Sequence, residues 1–249
     1  MEPAQSAIAN RSSLSEQVRN HILARIATGQ FPPGYKIVEA RIAEELHVST
    51  IPVREAIREL VAKRVLEYLV HRGARVREVS MAETIDALRV KAVLEALAAR
   101  LGGPKLILLA PQLRAFLRSI LEAATSHDFV KFQDQNQHFH RAIVEASGNQ
   151  ILLAQWDSLA FEVRTRFLLD YLKSVDPQIL AREHEEILRG IELEQTETVA
   201  GLLMSHANHL VEYLLRQMSF NAASGNPSGN PSGNPSGASG RQVHKEESL

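Results

Sequence analysis

The chain has 249 residues, 45% hydrophobic and 23% charged, which is material for one large or two modest globular domains with real cores. It contains no cysteine, so disulfides and thiolate chemistry are excluded and any metal site must be built from His and carboxylate or amide oxygen. Net charge is −1 but unevenly spread: residues 1–79 carry 12 Lys and Arg against 9 Asp and Glu (+3), residues 80–220 carry 14 against 18 (−4), and the remaining tail carries 2 of each. That is a weak bias toward DNA contact by the front of the chain. No run approaches the roughly 20 apolar residues that cross a bilayer, and the start lacks a basic region followed by an apolar one. A soluble, cytoplasmic protein without a membrane partner is therefore expected.

Residues 1–12 have little apolar content and read as a flexible arm. Leu14, Val18, Ile22 and Ile26 recur at every fourth position, predicting a helix from about Ser13 to Thr28 that ends at Gly29. Phe31-Pro-Pro-Gly34 makes a turn, and Ile37, Val38, Ile42, Ala43 and Leu46 then have helical spacing. After a turn at His47 to Thr50, Pro52 falls just inside a run with Val53, Ala56, Ile57, Leu60 and Val61 on one face, and Ser49 or Thr50 stands where a capping hydroxyl belongs. The outer face of that second helix carries Arg54 and Arg58 one turn apart, the layout of a helix that meets bases and phosphates in a groove. Leu66 to Val70 and Arg75 to Val79 are β-leaning runs joined by His71, Arg72, Gly73 and Ala74, a hairpin with a basic tip. Together these make a winged helix-turn-helix over residues 13–79, with Ser49, Thr50, Pro52, Arg54, Arg58, Arg72, Gly73 and Arg75 as the DNA-contacting candidates.

Ser80 with Glu83 three residues on forms a capping box that opens a second domain, residues 80–220. The run to Leu101 is apolar on two sides, one with Ile85, Leu88 and Ala92 and the other with Val90, Leu94, Leu97 and Leu101, which predicts a helix buried in a bundle. The same rules predict helices over Pro104 to Ala124, Asp128 to Ser147, Gln150 to about Lys173, Pro177 to Ile191 behind Asp176, and about Thr196 to Ser219. The fold class is mainly α: a winged helix-turn-helix with a small β-wing, then an antiparallel α-helical bundle. From Ser224 to Ser236 the sequence Ser-Gly-Asn-Pro repeats in tandem, and the tail 221–249 is too poor in apolar residues to fold by burial, so it reads as flexible or as a partner-binding peptide.

Polar residues interrupt three apolar stripes of the bundle. They are Asn136 and His140 between Phe129, Phe132 and Ile143, then His184 between Leu180, Ile187 and Ile191, and His206 between Leu203, Leu210 and Tyr213. A single inward histidine is usually a hydrogen-bonded core residue. Three would each need partners, at roughly 1–3 kcal/mol apiece if left without. One shared divalent cation, Zn, Ni, Co or Fe, would satisfy them together. Arg89 is another polar residue in a helix read as buried, and it pairs either with an internal acid such as Glu95 or with a bound carboxylate. A metal-dependent enzyme on the three histidines is a competing reading, although no carboxylate shares their stripes and no nucleophile motif appears.

IAEELHVSTIPVREAIREL followed by HRGARV resembles the winged helix-turn-helix of the GntR family of bacterial transcription regulators. NQHFHRAIVEASGN at 136–149, EHEEI at 183–187 and His206 are similar to the FCD ligand-binding domain of its FadR-like branch. The resemblance implies a homodimer on a palindromic double-stranded operator, controlled by a small organic acid in the bundle. It also implies a metal at the positions of Asn136, His140, His184 and His206, with Arg89 beside the effector pocket. Metal-binding members have Asp where Asn136 stands, and family members often have Arg at Thr50 and Gly at Arg64.

Overall fold

The computed structural model describes residues 13–69 and 73–223. The arm, wing-tip residues Val70, His71 and Arg72, and the repeat tail from 224 lie outside the described residues. The N-terminal unit consists of α1 (Leu14–Ala27), β1 (Lys36–Ile37), α2 (Glu39–Glu45), α3 (Thr50–Ala62), β2 (Leu66–Leu69) and β3 (Gly73–Val76). The Ser13 hydroxyl caps α1 by accepting from the Glu16 amide at 3.1 Å. Val18 and Ile22 of α1 close against Val53, Ala56, Ile57 and Leu60 of α3, all within 1% of full burial. β3 lies between β1 and β2, antiparallel to both, with Lys36 opposite Arg75 on one side and Glu67 opposite Arg75 on the other. Ile37 is thus in a strand, and Val38 is the exposed residue before α2, whereas their spacing had suggested helix. Pairing with a strand almost forty residues away decides this, and local spacing does not report it.

Both helices of the reading pair end in Schellman turns, in which a left-handed residue lets two amides reach back to orphan carbonyls. At the end of α2, His47 (φ 54°) sends its N–H to Glu44 and Val48 sends its own to Ala43. At the end of α3, Arg64 (φ 59°) bonds Val61 and Val65 bonds Leu60.

The bundle comprises α4 (Met81–Gly102), α5 (Pro104–Ser126), α6 (Phe129–Ala146), α7 (Gln150–Ser158), a 3-10 turn (Phe161–Arg164), α8 (Thr165–Ser174), α9 (Pro177–Glu192) and α10 (Thr196–Ala223). Ser80 caps α4 on the Glu83 amide, as expected. The helix expected from Gln150 to Lys173 is broken. Ala160 is left-handed (φ 49°), and the buried Arg164 guanidinium donates to the Leu159 carbonyl and, beside the Val163 amide, to that of Ala160. No Gly or Pro marks the break; burial of Phe161 and Val163 in the same apolar cluster as the N-terminal core sets it. α4 buries only one of its two apolar sides: Val90, Leu97 and Leu101 are exposed, contrary to expectation.

Arg64 occupies a left-handed position that costs an L-residue roughly 1–2 kcal/mol. Arg64→Gly should raise unfolding stability by about 1 kcal/mol, read as a higher urea midpoint at unchanged slope; a lower midpoint would mean that the Arg64 side chain more than offsets its backbone.

Candidate functional site

On the N-terminal unit, α3 presents Arg54 and Arg58 outward. Arg58 is exposed and has no acidic partner among the described residues. Arg54 is held by Glu39 of α2 through Nε (3.1 Å) and Nη2 (2.9 Å), so an incoming phosphate or base must compete with that carboxylate. Ser49 is the residue before the helix, but its hydroxyl makes no capping bond, and Thr50 is the first helical residue rather than a cap. Pro52 is buried and shapes the helix start rather than touching solvent. In the wing, Gly73 takes φ 80°, which only glycine adopts without strain. Arg75 pairs with Glu67 at 2.7 Å across the strand. Lys36, exposed on β1 with its side chain 4.0 Å from the Cβ position of Gly73, adds a basic group to the wing that sequence reading missed. Arg72 lies outside the described residues.

In the bundle, α6, α9 and α10 bring His140, His184 and His206 together, with one ligand-capable atom of each within 4.8 Å of the others. Ring centroids are 5.4 Å apart for His140 and His184, 5.1 Å for His140 and His206, and 4.6 Å for His184 and His206. Each Nδ1 is already engaged by the surroundings. That of His184 donates to the Leu180 carbonyl at 2.7 Å and that of His206 to Glu183 Oε2 at 2.6 Å. His140 Nδ1 lies 2.9 Å from Glu95 Oε2, a charge contact whose angle falls short of a hydrogen bond. Of the three Nε2 atoms, that of His140 is buried with no hydrogen-bond partner among the described residues. Asn136 Oδ1 stands 2.7 Å from His184 Nε2. With the His184 proton on Nδ1, both atoms are lone-pair donors. The contact needs a shared cation, a second imidazole proton, or the amide turned over. Orphaned lone pairs backed by carboxylates and a carbonyl are what a borderline divalent ion takes, so the residues present fit one.

Behind His140 stands a buried charge cluster. Glu95 of α4 receives Lys91 Nζ at 2.6 Å and Trp156 Nε1 at 2.9 Å on Oε1. Burial pushes the Glu95 carboxyl up, but His140 and Lys91 outweigh it and hold the group well below the usual carboxylate range. Burial lowers His140 to about 4 against the upward pull of Glu95. It drives His184 well below its ordinary value, with His206 and His140 adding to the shift. Both imidazoles are therefore neutral near pH 7, the state in which they bind metal.

A cavity of about 50 Å³ opens beside the cluster, room for a few waters, lined among others by Lys91, Asn136, Phe161, Tyr171 and His206. Burial pushes the Tyr171 phenol up to about 12, so it keeps its proton. Lys91 is the cation at this cavity. Arg89, expected beside the pocket, is 56% exposed and pairs with Asp86 at 3.4 Å, because positions 86, 89, 90 and 93 share the uncovered side of α4. Nor does Glu95 pair with Arg89. Lys91, Glu95, Trp156 and Glu183 were missed as site residues; the i, i+4 spacing of Lys91 and Glu95 along the Leu88 side was the available signal. His209 joins Glu183 at 2.7 Å, and His138 is half-exposed on the Asp134 carbonyl, both away from the convergence point.

Direct contacts join this region to the N-terminal unit. Phe161 lines the cavity with Lys91 Nζ 5.7 Å from its ring centre, and its 3-10 turn packs against α1. Arg164 in the same turn donates to Glu83 Oε1 at 3.1 Å, and Arg77, just after the wing, donates to that same oxygen at 2.6 Å.

Residues 14–76 match the family described as bacterial regulatory proteins, gntR family, and residues 86–209 match the FCD domain. A "Probable D-xylose utilization operon transcriptional repressor" of Paenarthrobacter nicotinovorans is 33% identical over 196 residues, 79% of this chain and 86% of the relative. The "HTH-type transcriptional regulator McbR" of Escherichia coli K12 is 31% identical over 179 residues, 70% and 78% of the two chains. The solved structure of E. coli McbR/YncC superposes with a TM-score of 0.69 over 83% of this chain and 99% of that one at 23% identity, a likeness of fold.

The depressed histidines carry a consequence for stability. An unfolded chain protonates these imidazoles near 6.5, whereas folded His140 stays neutral down to about 4 and His184 likewise remains neutral well below 6.5. The unfolded state thus binds more protons as pH falls through that window. For chelator-treated protein we expect the urea midpoint to drop steadily from pH 6.5 toward pH 4, and a flat midpoint there would contradict the buried neutral histidines.

Proposed function

The chain belongs to the gntR family of bacterial regulatory proteins and carries an FCD domain, and from that premise we propose a homodimeric regulator whose grip on a palindromic operator is set by a short carboxylate bound beside a divalent cation in the bundle. Members of this family are transcription regulators that bind operator DNA, which sets aside the enzyme reading of the histidines. The observation that carries the proposal is the convergence of three imidazoles whose Nδ1 atoms are all engaged outward, with a buried lysine at the adjoining cavity.

His140, His184 and His206 would hold the metal, with Asn136 as a fourth, neutral oxygen donor. The ion would offer positive charge and open coordination positions to a carboxylate. Lys91 supplies the second cationic contact and the Tyr171 hydroxyl a donor, while Leu88, Phe132 and Leu210 form apolar wall beside the amides of Gln133 and Gln137. A ligand seated there presses on Phe161, whose 3-10 turn touches α1 and carries Arg164. It therefore biases the position of the reading unit in proportion to its preference for one arrangement over the other. On the DNA side, Arg58 and, once released from Glu39, Arg54 reach base edges. Ser49 and Thr50 at the open start of α3 suit a phosphate, and Gly73, Arg75 and Lys36 with Arg72 form the wing contact.

Arg58→Ala should weaken operator binding by about 1–3 kcal/mol; an unchanged dissociation constant in gel shift removes α3 as the reading face. In the bundle, Zn or Ni at a hundredfold excess over its dissociation constant should add about 2.7 kcal/mol of stability, which is roughly 5–10 °C in thermal midpoint. A further rise should follow with short carboxylates. His184→Ala should lose the metal response, and a full response in that variant would refute the three-histidine site.

A further inference from the structure

A second cavity, of about 840 Å³, opens where the two units meet. α1 gives one wall through Leu23, Ala24 and Ala27, and α6 gives the other through Asp134, Gln137 and Arg141, in each case three or four residues apart on one helix face. Phe161 and Glu162 of the 3-10 turn complete the lining. Small-molecule sites occupy roughly 300–1,000 Å³ and concentrate at junctions of this kind. Gln133, Gln137 and Phe161 line both this cleft and the smaller cavity beside the histidines, so the two share a wall.

The charges at this cleft do not balance. Arg19, Lys63, Lys131 and Arg141 border it, and each already has an acid. Arg19 donates to Glu59 at 2.8 Å, Lys63 lies 3.1 Å from the same carboxylate and Lys131 3.2 Å from Glu122, while Arg141 donates to Glu145 at 2.8 Å and also to Asp157. On the acidic side, Asp128 caps α6 and Asp134 accepts from Gln135. Glu162 has no basic partner among the described residues, and its carboxylate is met by its own backbone amide. Burial pushes that carboxyl up, and Asp157 adds to the shift. The hydroxyls of the lining are spent as donors, Thr28 on the Ala24 carbonyl at 3.0 Å and Thr165 on the Glu162 carbonyl at 2.7 Å, so they offer lone pairs only. An anion entering here would meet Glu162 and compete with a bound acid for every cation. An ammonium group carries the missing charge and only donates. We propose that this cleft is a second ligand site, for a small aliphatic amine whose ammonium pairs with Glu162 while its chain lies on Leu23, Ala27 and Phe161. The site needs neither the metal nor the acid of the bundle. Because one wall belongs to the reading unit and the other to the helix that carries His140, a bound amine favours the arrangement in which both walls reach it, and operator affinity changes by that preference.

Calorimetric titration of the full chain with 1,4-diaminobutane tests the site, with 1,4-butanediol as the uncharged probe of equal length. The diamine should bind saturably and the diol should not. Glu162→Gln keeps the shape and removes the charge, and it should weaken the diamine about tenfold or more. Ala24→Phe, at an exposed position on the α1 wall, should block the diamine by bulk with helical circular dichroism unchanged. His184→Ala should bind the diamine as the unaltered chain does, which separates this site from the metal reading. The absence of saturable diamine binding, equal binding of the diol, or full diamine affinity in Glu162→Gln overturns the proposal. Diamine binding lost in a folded His184→Ala would place the amine at the histidines and overturn it as well.

Discussion

A carboxylate with no access to water is the constraint around which the bundle is arranged. Glu95 is fully buried, and an isolated buried charge would cost several kcal/mol, so its oxygens must be supplied with partners from whatever packs on α4. Lys91 comes from one turn earlier on the same helix, Trp156 from α7 and His140 from α6. Meeting that demand does more than hold three helices together. It engages Nδ1 of His140 from behind, so the other ring nitrogen faces His184 and His206. It also ties down the ammonium of Lys91 at the wall of the cavity. Removing either partner alone would leave a buried charge unmatched. The polar cluster and the site are for this reason one structural object.

The same logic recurs at the junction of the two units. Arg164 fills the break between α7 and α8, donates to the Leu159 and Ala160 carbonyls, and reaches Glu83 at the start of α4. Glu83 is also the partner of Arg77, which leaves the wing. Two guanidinium groups on one carboxylate oxygen make an arrangement that a small shift of the 3-10 turn can rebalance. The apolar cluster beneath is shared by both units, with Ile85, Leu88, Phe161 and Leu214 joined to Ile22, Ile57 and Leu66. Packing of that kind transmits a displacement instead of absorbing it.

Most of the helical framework was legible in the sequence because burial on one side imposes a repeat of 3.6 residues, and caps such as Ser13, Ser80, Asn149 and Asp176 mark the starts. The inward histidines were legible for the same reason, since each interrupts an otherwise apolar stripe. What escaped depends on information that is not local. β1 is two residues long and exists only as a partner of β3, and the break at Ala160 is set by a core that includes residues over a hundred positions away. On α4 both sides are apolar, so periodicity could not say which faces inward. Reading both sides as buried hid an exposed strip as core, and Arg89, placed at the pocket by resemblance, stands on that strip while Lys91 is the cation of the cavity.

Asn136 alters the charge balance of the site in a direction that bears on its ligand. His140 and His184 are neutral near pH 7, the Asn136 amide carries no charge, and Lys91 is matched by Glu95. A divalent ion held by this set would keep its whole charge, where a carboxylate at position 136 would cancel half of it. Such an ion binds more weakly and is correspondingly more in need of an anion. In a cavity open to one side, that anion can be supplied by a ligand entering with it. Under the proposed function, an amide at position 136 would favour a site in which metal and acid stabilise each other's binding over one that holds a metal alone.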